Sequence, residues 1–350
     1  EATRTGESDQ RGPFSGSPTL RFTIVLMARF PVLRLSSGTK MHKGIVLAFG
    51  CGLASALMSS AGHPGSGIGV LLANFAMLPL IIVGLAHGTR STAVASLTGV
   101  IALIAFSNLL VGGIFGVTIA IPACLVVRYG LMSRARQSRA LQWYPIGKIL
   151  AMLAAYGATV LVIAALTHFD TDGGFKGAVA NLLGDFFESR IGGSAEVQSA
   201  LVNRTVNIFP GIAVAGWLLL VVINAVLAQA LLARRGLQAR PTPNYAQLDA
   251  PEWLYWGLVA AVGLILFGGE QVAFIGRNIA IVFAAPFFFI GLGVIHLLMR
   301  RFPAPFMALS AFYIFIIVLG WPMLAVAALG FFEQWASSFW DGTRPSTPGI

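Results

Sequence analysis

The chain is written in long apolar runs separated by short polar breaks, and from Gly44 onward the runs recur with lengths near twenty residues. A helix needs roughly 17–25 predominantly apolar residues to cross the hydrocarbon core of a bilayer. Only a helix or a closed barrel satisfies its backbone there. The pattern predicts a first span at Gly44–Ala61 and a second at Gly67–Ala86. Ser91–Met132 is long enough for two helices, broken near Leu110–Gly113, where two glycines follow Asn108. A fifth span is expected at Ile146–Leu166, a sixth at Ile208–Leu232, a seventh at Trp253–Phe267 and an eighth at Asn278–Met299. The last run, Pro305–Phe331, carries Trp321-Pro322 near its middle. It reads as one kinked helix or two short ones, because proline removes a backbone donor and crowds the preceding turn. The expected fold is an all-α polytopic transmembrane helical bundle of about eight to ten spans.

The flanks differ from this pattern. Glu1–Pro18 is polar and without apolar period, and is expected to be disordered. Thr19–Leu35 mixes apolar residues with Arg21, Arg29 and Arg34, the pattern of a cationic segment lying on a membrane surface. Residues 1–40 therefore read as an extension, with Met41 a natural start for the bundle. Residues 41–340 read as one transmembrane domain and 341–350 as a flexible tail. Within the domain, 167–207 is the longest polar stretch. Phe175, Val179, Leu182, Leu183 and Phe186 recur there at helical spacing, which predicts an amphipathic helix on the interface.

Composition agrees with a membrane location. Of 350 residues, 57% are hydrophobic and 10% charged, against about 25% charged in soluble domains. The mean hydropathy is +0.81. The net charge of +10 would suggest nucleic acid in a soluble protein, but the basic residues sit in short loops, where they act as topology signals. No nucleic-acid partner is expected; membrane lipids are. With the N-terminus in the cytoplasm, the inside loops carry Arg90, Arg128, Arg134, Arg136, Arg139, Lys148, Arg234, Arg235, Arg240, Arg300 and Arg301. The outside loops carry only Lys176, Arg190, Arg204 and Arg277. The bias favours an N-inside orientation.

Catalytic patterns are missing from the sequence. No P-loop, H-E-x-x-H or G-x-S-x-G occurs. Cys51 and Cys124 lie apart within apolar runs, and no two of the five histidines sit at ligand spacing. His296, near a helix end, reads as an interfacial or packing residue. Asp170 and Asp172 lack the rest of a calcium loop. Neither an enzyme, a metal site nor a cofactor is expected. Asp and Glu are absent from residues 10–169, whereas ion-coupled transporters place carboxylates at membrane depth. Polar uncharged residues do enter the spans: Asn74, Asn108, Tyr156, Asn224, Gln229 and Tyr313. Each reads as glue between helices or as lining for a pocket that takes an uncharged or zwitterionic small molecule. Glu270, with Gln271 and Arg277, would close such a pocket from outside. On the first span Ala48, Gly52 and Ala56 form a small-residue stripe, either for packing within the bundle or for docking another membrane subunit.

The segments LAFGCGLASALM, NFAMLPLIIVGLAHG and RFPAPFMALSAFYIFIIVLGWPMLAVAALGFFEQW resemble the YybS-like family of uncharacterised bacterial membrane proteins. Leu329-Gly330-x-x-Glu333-Gln334-Trp335 is similar to that family's closing motif. The family is grouped loosely with the S components of energy-coupling-factor vitamin transporters. That resemblance implies a substrate-binding bundle which docks, through small residues such as Ala48, Gly52 and Ala56, to a separate subunit driven by ATPases. The expected function is a substrate-binding or transport-associated component. The alternative is a structural or assembly factor without a ligand.

Overall fold

The apolar runs are helical throughout the computed structural model, which describes residues 37–62, 66–135, 141–190, 194–243 and 248–341. The chain forms two units, Glu1–Lys43 and Gly44–Ile350. Of the first, the helical backbone of residues 37–43 is described; the second holds the helical bundle. The readings of the N-terminal extension and of the C-terminal tail lie outside the described residues up to 36 and from 342.

In order, the helices are α1 (Ser37–Ser60), α2 (Gly67–Asn74), α3 (Leu78–His87), α4 (Thr89–Phe106), α5 (Leu109–Phe115), α6 (Ile121–Gly130), α7 (Ile146–Thr167), α8 (Gly174–Arg190), α9 (Ala195–Thr205), α10 (Phe209–Arg234), α11 (Trp253–Phe267), α12 (Glu270–Met299), α13 (Pro305–Leu319) and α14 (Pro322–Asp341). A π-helical turn, Gly116–Ala120, joins α5 to α6. A two-stranded hairpin, β1 (Ser133–Ala135) and β2 (Leu141–Trp143), follows α6.

Among the described residues, six segments are long and apolar enough to cross a membrane, or seven if the bent pair α13–α14 counts as one. This is fewer than the eight to ten expected. The difference lies in length: α11 has 15 residues, about 22 Å at 1.5 Å per residue, and it and the apolar stretch Gly44–Ser60 of α1 are both short of a full crossing. The break between the third and fourth expected spans falls at Ser107–Asn108 rather than at the glycines. Asn108 sets it there, since its Oδ1 accepts from Val111 N at 2.9 Å and caps α5. Gly112 and Gly113 lie inside α5. The eighth span starts at Glu270, eight residues before the position expected. The last run is two helices bent by 118°. Gly320 at φ 69° makes the turn and Pro322 opens the second helix, where its missing N–H costs nothing.

α12 is the centre of the packing, in contact with α7, α8, α10, α11, α13 and α14. Its pairing with α14 depends on two glycines. A Cβ on Gly330 would run into the carbonyl oxygen of Phe287, and one on Gly291 into that of Val326. The two backbones therefore touch where they cross. Tyr255, Phe287 and Phe331 stack around this crossing with centroids 5.2–5.3 Å apart. In lipid such close approach supplies the dispersion and backbone contact that the hydrophobic effect does not.

Polar residues inside the bundle are tied to backbone. Asn278, fully buried, accepts from Gly211 N at 2.7 Å and donates to Asn207 O at 3.2 Å and Phe274 O at 2.8 Å. It pins the start of α10 to α12. α8 covers the expected amphipathic segment, with Val179 and Leu183 buried together with Val206. Leu182 and Phe186, expected on the same face, are exposed instead. Lys176 of α8 pairs with Glu270 at 2.9 Å, which fixes α8 to the start of α12.

Candidate functional site

α3, α6, α10 and α12 finish, and α7 begins, at one end of the bundle. A half-open cavity of about 620 Å³ lies between them. The helical period explains its walls. On α12, Phe289, Leu292, Gly293 and His296, with Arg300 just past its end, recur at the i, i+3, i+4, i+7 spacing of one helical face; on α10 so do Val221, Val222, Ala225, Val226 and Gln229. Leu153, Val221 and Phe289 lie deepest, because α7 runs inward from Ile146 while α10 and α12 run outward to Arg234 and Met299. Toward the mouth each stripe turns polar, ending in Gln229 on α10 and in His296 and Arg300 on α12.

A segment after α10 crosses the mouth and is held there by its own hydrogen bonds. Buried Gln229 donates from Nε2 to Arg240 O at 2.8 Å. The Arg240 guanidinium donates to Gly130 O at 3.2 Å and Tyr144 O at 3.0 Å, and lies 5.7 Å above the Trp143 ring. The β hairpin thus carries an aromatic ledge for a cation. On the facing wall, His296 Nδ1 lies 2.8 Å from Leu292 O. A carbonyl oxygen only accepts, so the imidazole carries its proton on Nδ1. Nε2 lies 3.4 Å from Tyr313 OH. Arg300 is exposed at the rim. The lining holds two cations and no carboxylate.

Of the polar residues singled out in the sequence, Gln229 and Tyr313 reach this cavity. The others do not converge with them. Asn74 is exposed, and its carbonyl accepts from Asn224 Nδ2 at 2.9 Å. Asn108 is the exposed cap of α5. Asn224 is buried between α10 and α2 with its Oδ1 unpartnered. Tyr156 serves the π turn: its OH donates to Val117 O at 2.7 Å, and Trp217 Nε1 donates to Thr118 O at 2.8 Å. A π turn shifts the backbone ladder by one residue, and two aromatic side chains from α7 and α10 supply donors beside it. Glu270 is exposed and paired with Lys176. With Gln271 it lies at the start of α12, at the opposite end from the cavity, so these residues do not close it.

The stripe of Ala48, Gly52 and Ala56 is occupied within the chain. A Cβ on Gly52 would run into Ala95 O and lie 2.8 Å from Thr98 Cβ, and one on Gly99 would lie 3.2 Å from Gly52 O. Ala48 and Ala56 are buried. α1 thus sets its small face against α4, and a separate subunit would have to meet its other, bulky face, where Val46 and Leu57 are 70% and 72% exposed.

Among the described residues no three His, Cys, Asp or Glu side chains come together as a metal site would require. Arg240, His296 and Arg300 are the site residues that sequence reading passed over, treating them as topology signals and an interfacial histidine. For His296 and Arg300 a signal existed in the continuation of an apolar helical stripe into polar residues at the same spacing; Arg240, on a connecting segment, had none.

No curated protein and no solved structure matches the chain. One family model does, over residues 52–333, a range that takes in most of the segments carrying the YybS-like resemblance. The chain belongs to the family described as Predicted membrane protein (DUF2232).

Proposed function

We propose that the protein is a multi-pass component of the bacterial cytoplasmic membrane that holds a small molecule within its bundle and performs no chemistry on it. It serves a transport or transfer process whose driving force comes from other subunits. The observation that carries this reading is the cavity of about 620 Å³, within the roughly 300–1,000 Å³ that ligand sites occupy. Its apolar depth and few polar groups at one end have the composition of such sites. The acids add support: among the described residues no Asp or Glu is buried, and none lines the cavity. The kinship with S components enters as an implication of resemblance, and a partner would meet exposed apolar helices such as α13 rather than the small face of α1.

Native mass spectrometry of the gently extracted protein tests the reading. The wild type is expected to carry a stoichiometric adduct, and Leu153→Trp, which fills the cavity from its deep end, is expected to lose it while remaining folded. A folded wild type without adduct would overturn the reading in favour of an assembly role without a ligand.

A further inference from the structure

Resting on the reading of the cavity as a ligand site, we propose that its occupant is an anionic amphiphile. An alkyl or prenyl chain lies along α12, and a carboxylate or phosphate head sits at Arg300 and Arg240.

Three observations converge on this class. The first is the grading of the walls. From Phe289 to Arg300 is eleven residues, about 16 Å of helix, and polarity rises along it from Phe289 through Leu292 and His296 to Arg300. A molecule that satisfies both ends has an extended apolar body and one polar terminus. The second is sign. The charged lining groups are both arginines, and Arg300 has no carboxylate partner among the described residues, whose ion pair, Lys176–Glu270, lies at the other end of the bundle. A zwitterion would bring a cation to a mouth that offers it no carboxylate. Guanidinium forks match carboxylate and phosphate oxygens and bind them with charge-assisted hydrogen bonds. The third is the surrounding field. Arg90, Arg128, Lys148, Arg234 and Arg301 belong to the same end of the chain's helices, where Asp249 and Glu252 are outnumbered, and a cleft with low-dielectric walls in a net positive surround concentrates ions of the opposite sign. The fixed geometry of Arg240, bonded to Gly130 O and Tyr144 O, orders one cation before the ligand arrives and lowers the entropy lost on binding.

The test uses the full chain in phosphatidylcholine nanodiscs, titrated with radiolabelled oleate, oleyl phosphate and oleyl alcohol. These share one chain and differ in the head. Both anions are expected to bind about tenfold tighter than the alcohol or better, and the tighter of the two assigns the head as carboxylate or phosphate. Arg300→Gln is expected to weaken anion binding about tenfold and leave the alcohol unchanged. Arg300 is exposed, so this variant keeps the fold. Gly293→Phe is expected to block all three probes. Equal binding of alcohol and anions, or an anion preference that survives Arg300→Gln, would overturn the amphiphile proposal and leave the cavity as a site for something else. Binding of none of the three also overturns it. If native mass spectrometry then shows an unrelated retained mass, the ligand reading stands; if it shows none, that reading falls as well.

Discussion

Asn278 and Asn224 are the same side chain in two degrees of satisfaction. Asn278 uses its oxygen and both its donors on main-chain partners from two helices and a turn. Asn224 donates to Asn74 O and Leu220 O but leaves its buried oxygen without a partner. Removing a fully bonded polar group strands its partners, whereas removing one that carries an unmet acceptor relieves a desolvation cost. Asn278→Ala is therefore expected to destabilise the protein by about 1–3 kcal/mol, and Asn224→Leu by about 1 kcal/mol less. Unfolding in mixed micelles with increasing dodecyl sulfate measures both; equal losses would show that the unmet oxygen has a partner in the membrane. Sequence reading marked Asn224 because it interrupts a long apolar run. It missed Asn278, which follows Glu270, Gln271 and Arg277 and so looked like the edge of a loop. Hydropathy records how polar a residue is and not whether its bonds are made.

Elements were legible in proportion to how far composition alone determines them. Apolar run length located most of the long helices, though it set the start of α12 eight residues late and did not separate α2 from α3, and it does not report where a carbonyl is close to another helix. The crossing of α12 and α14 is such a place. Gly330→Ala is expected to cost about 1–3 kcal/mol, because the added methyl forces the backbones apart. Gly50→Ala, with open space around the new methyl, is expected to be neutral or slightly stabilising through better helix propensity. Thermal shift in detergent compares the pair, and a neutral Gly330→Ala would refute the close approach. The π turn is a second case. No apolar period announces it, yet Tyr156 and Trp217 are placed to donate to its carbonyls. Tyr156→Phe is expected to destabilise the turn by about 1 kcal/mol and to speed amide exchange in residues 114–121, while exchange in α9 stays unchanged.

On the scale of the whole molecule, the orientation proposed for the chain rests on the charge bias of its loops rather than on any site. With the ends of α3, α6, α10 and α12 facing the cytoplasm, a single cysteine at Thr171 is expected to react with an impermeant maleimide only from outside, and one at Leu237 only after the membrane is opened. Both positions are exposed. The reverse labelling would invert the molecule and turn the cavity mouth outward. The cavity itself was illegible in the sequence because its polar rim draws on three helices and a connecting segment far apart in the chain. Each contributes one or two residues that, taken singly, look like the ordinary punctuation of a membrane protein.

α12 has two duties within the same two turns. Phe289, Leu292 and Gly293 face the cavity, while Gly291 between them bears the backbone of α14. Whatever stiffens one side of this rod stiffens the other. If the cavity holds a ligand as proposed, binding beside Leu292 is expected to steady α14, and by linkage a seated α14 is expected to favour binding. Trimming of the C-terminal segment by a protease becomes a gauge of occupancy, read some distance from the mouth through which the guest came.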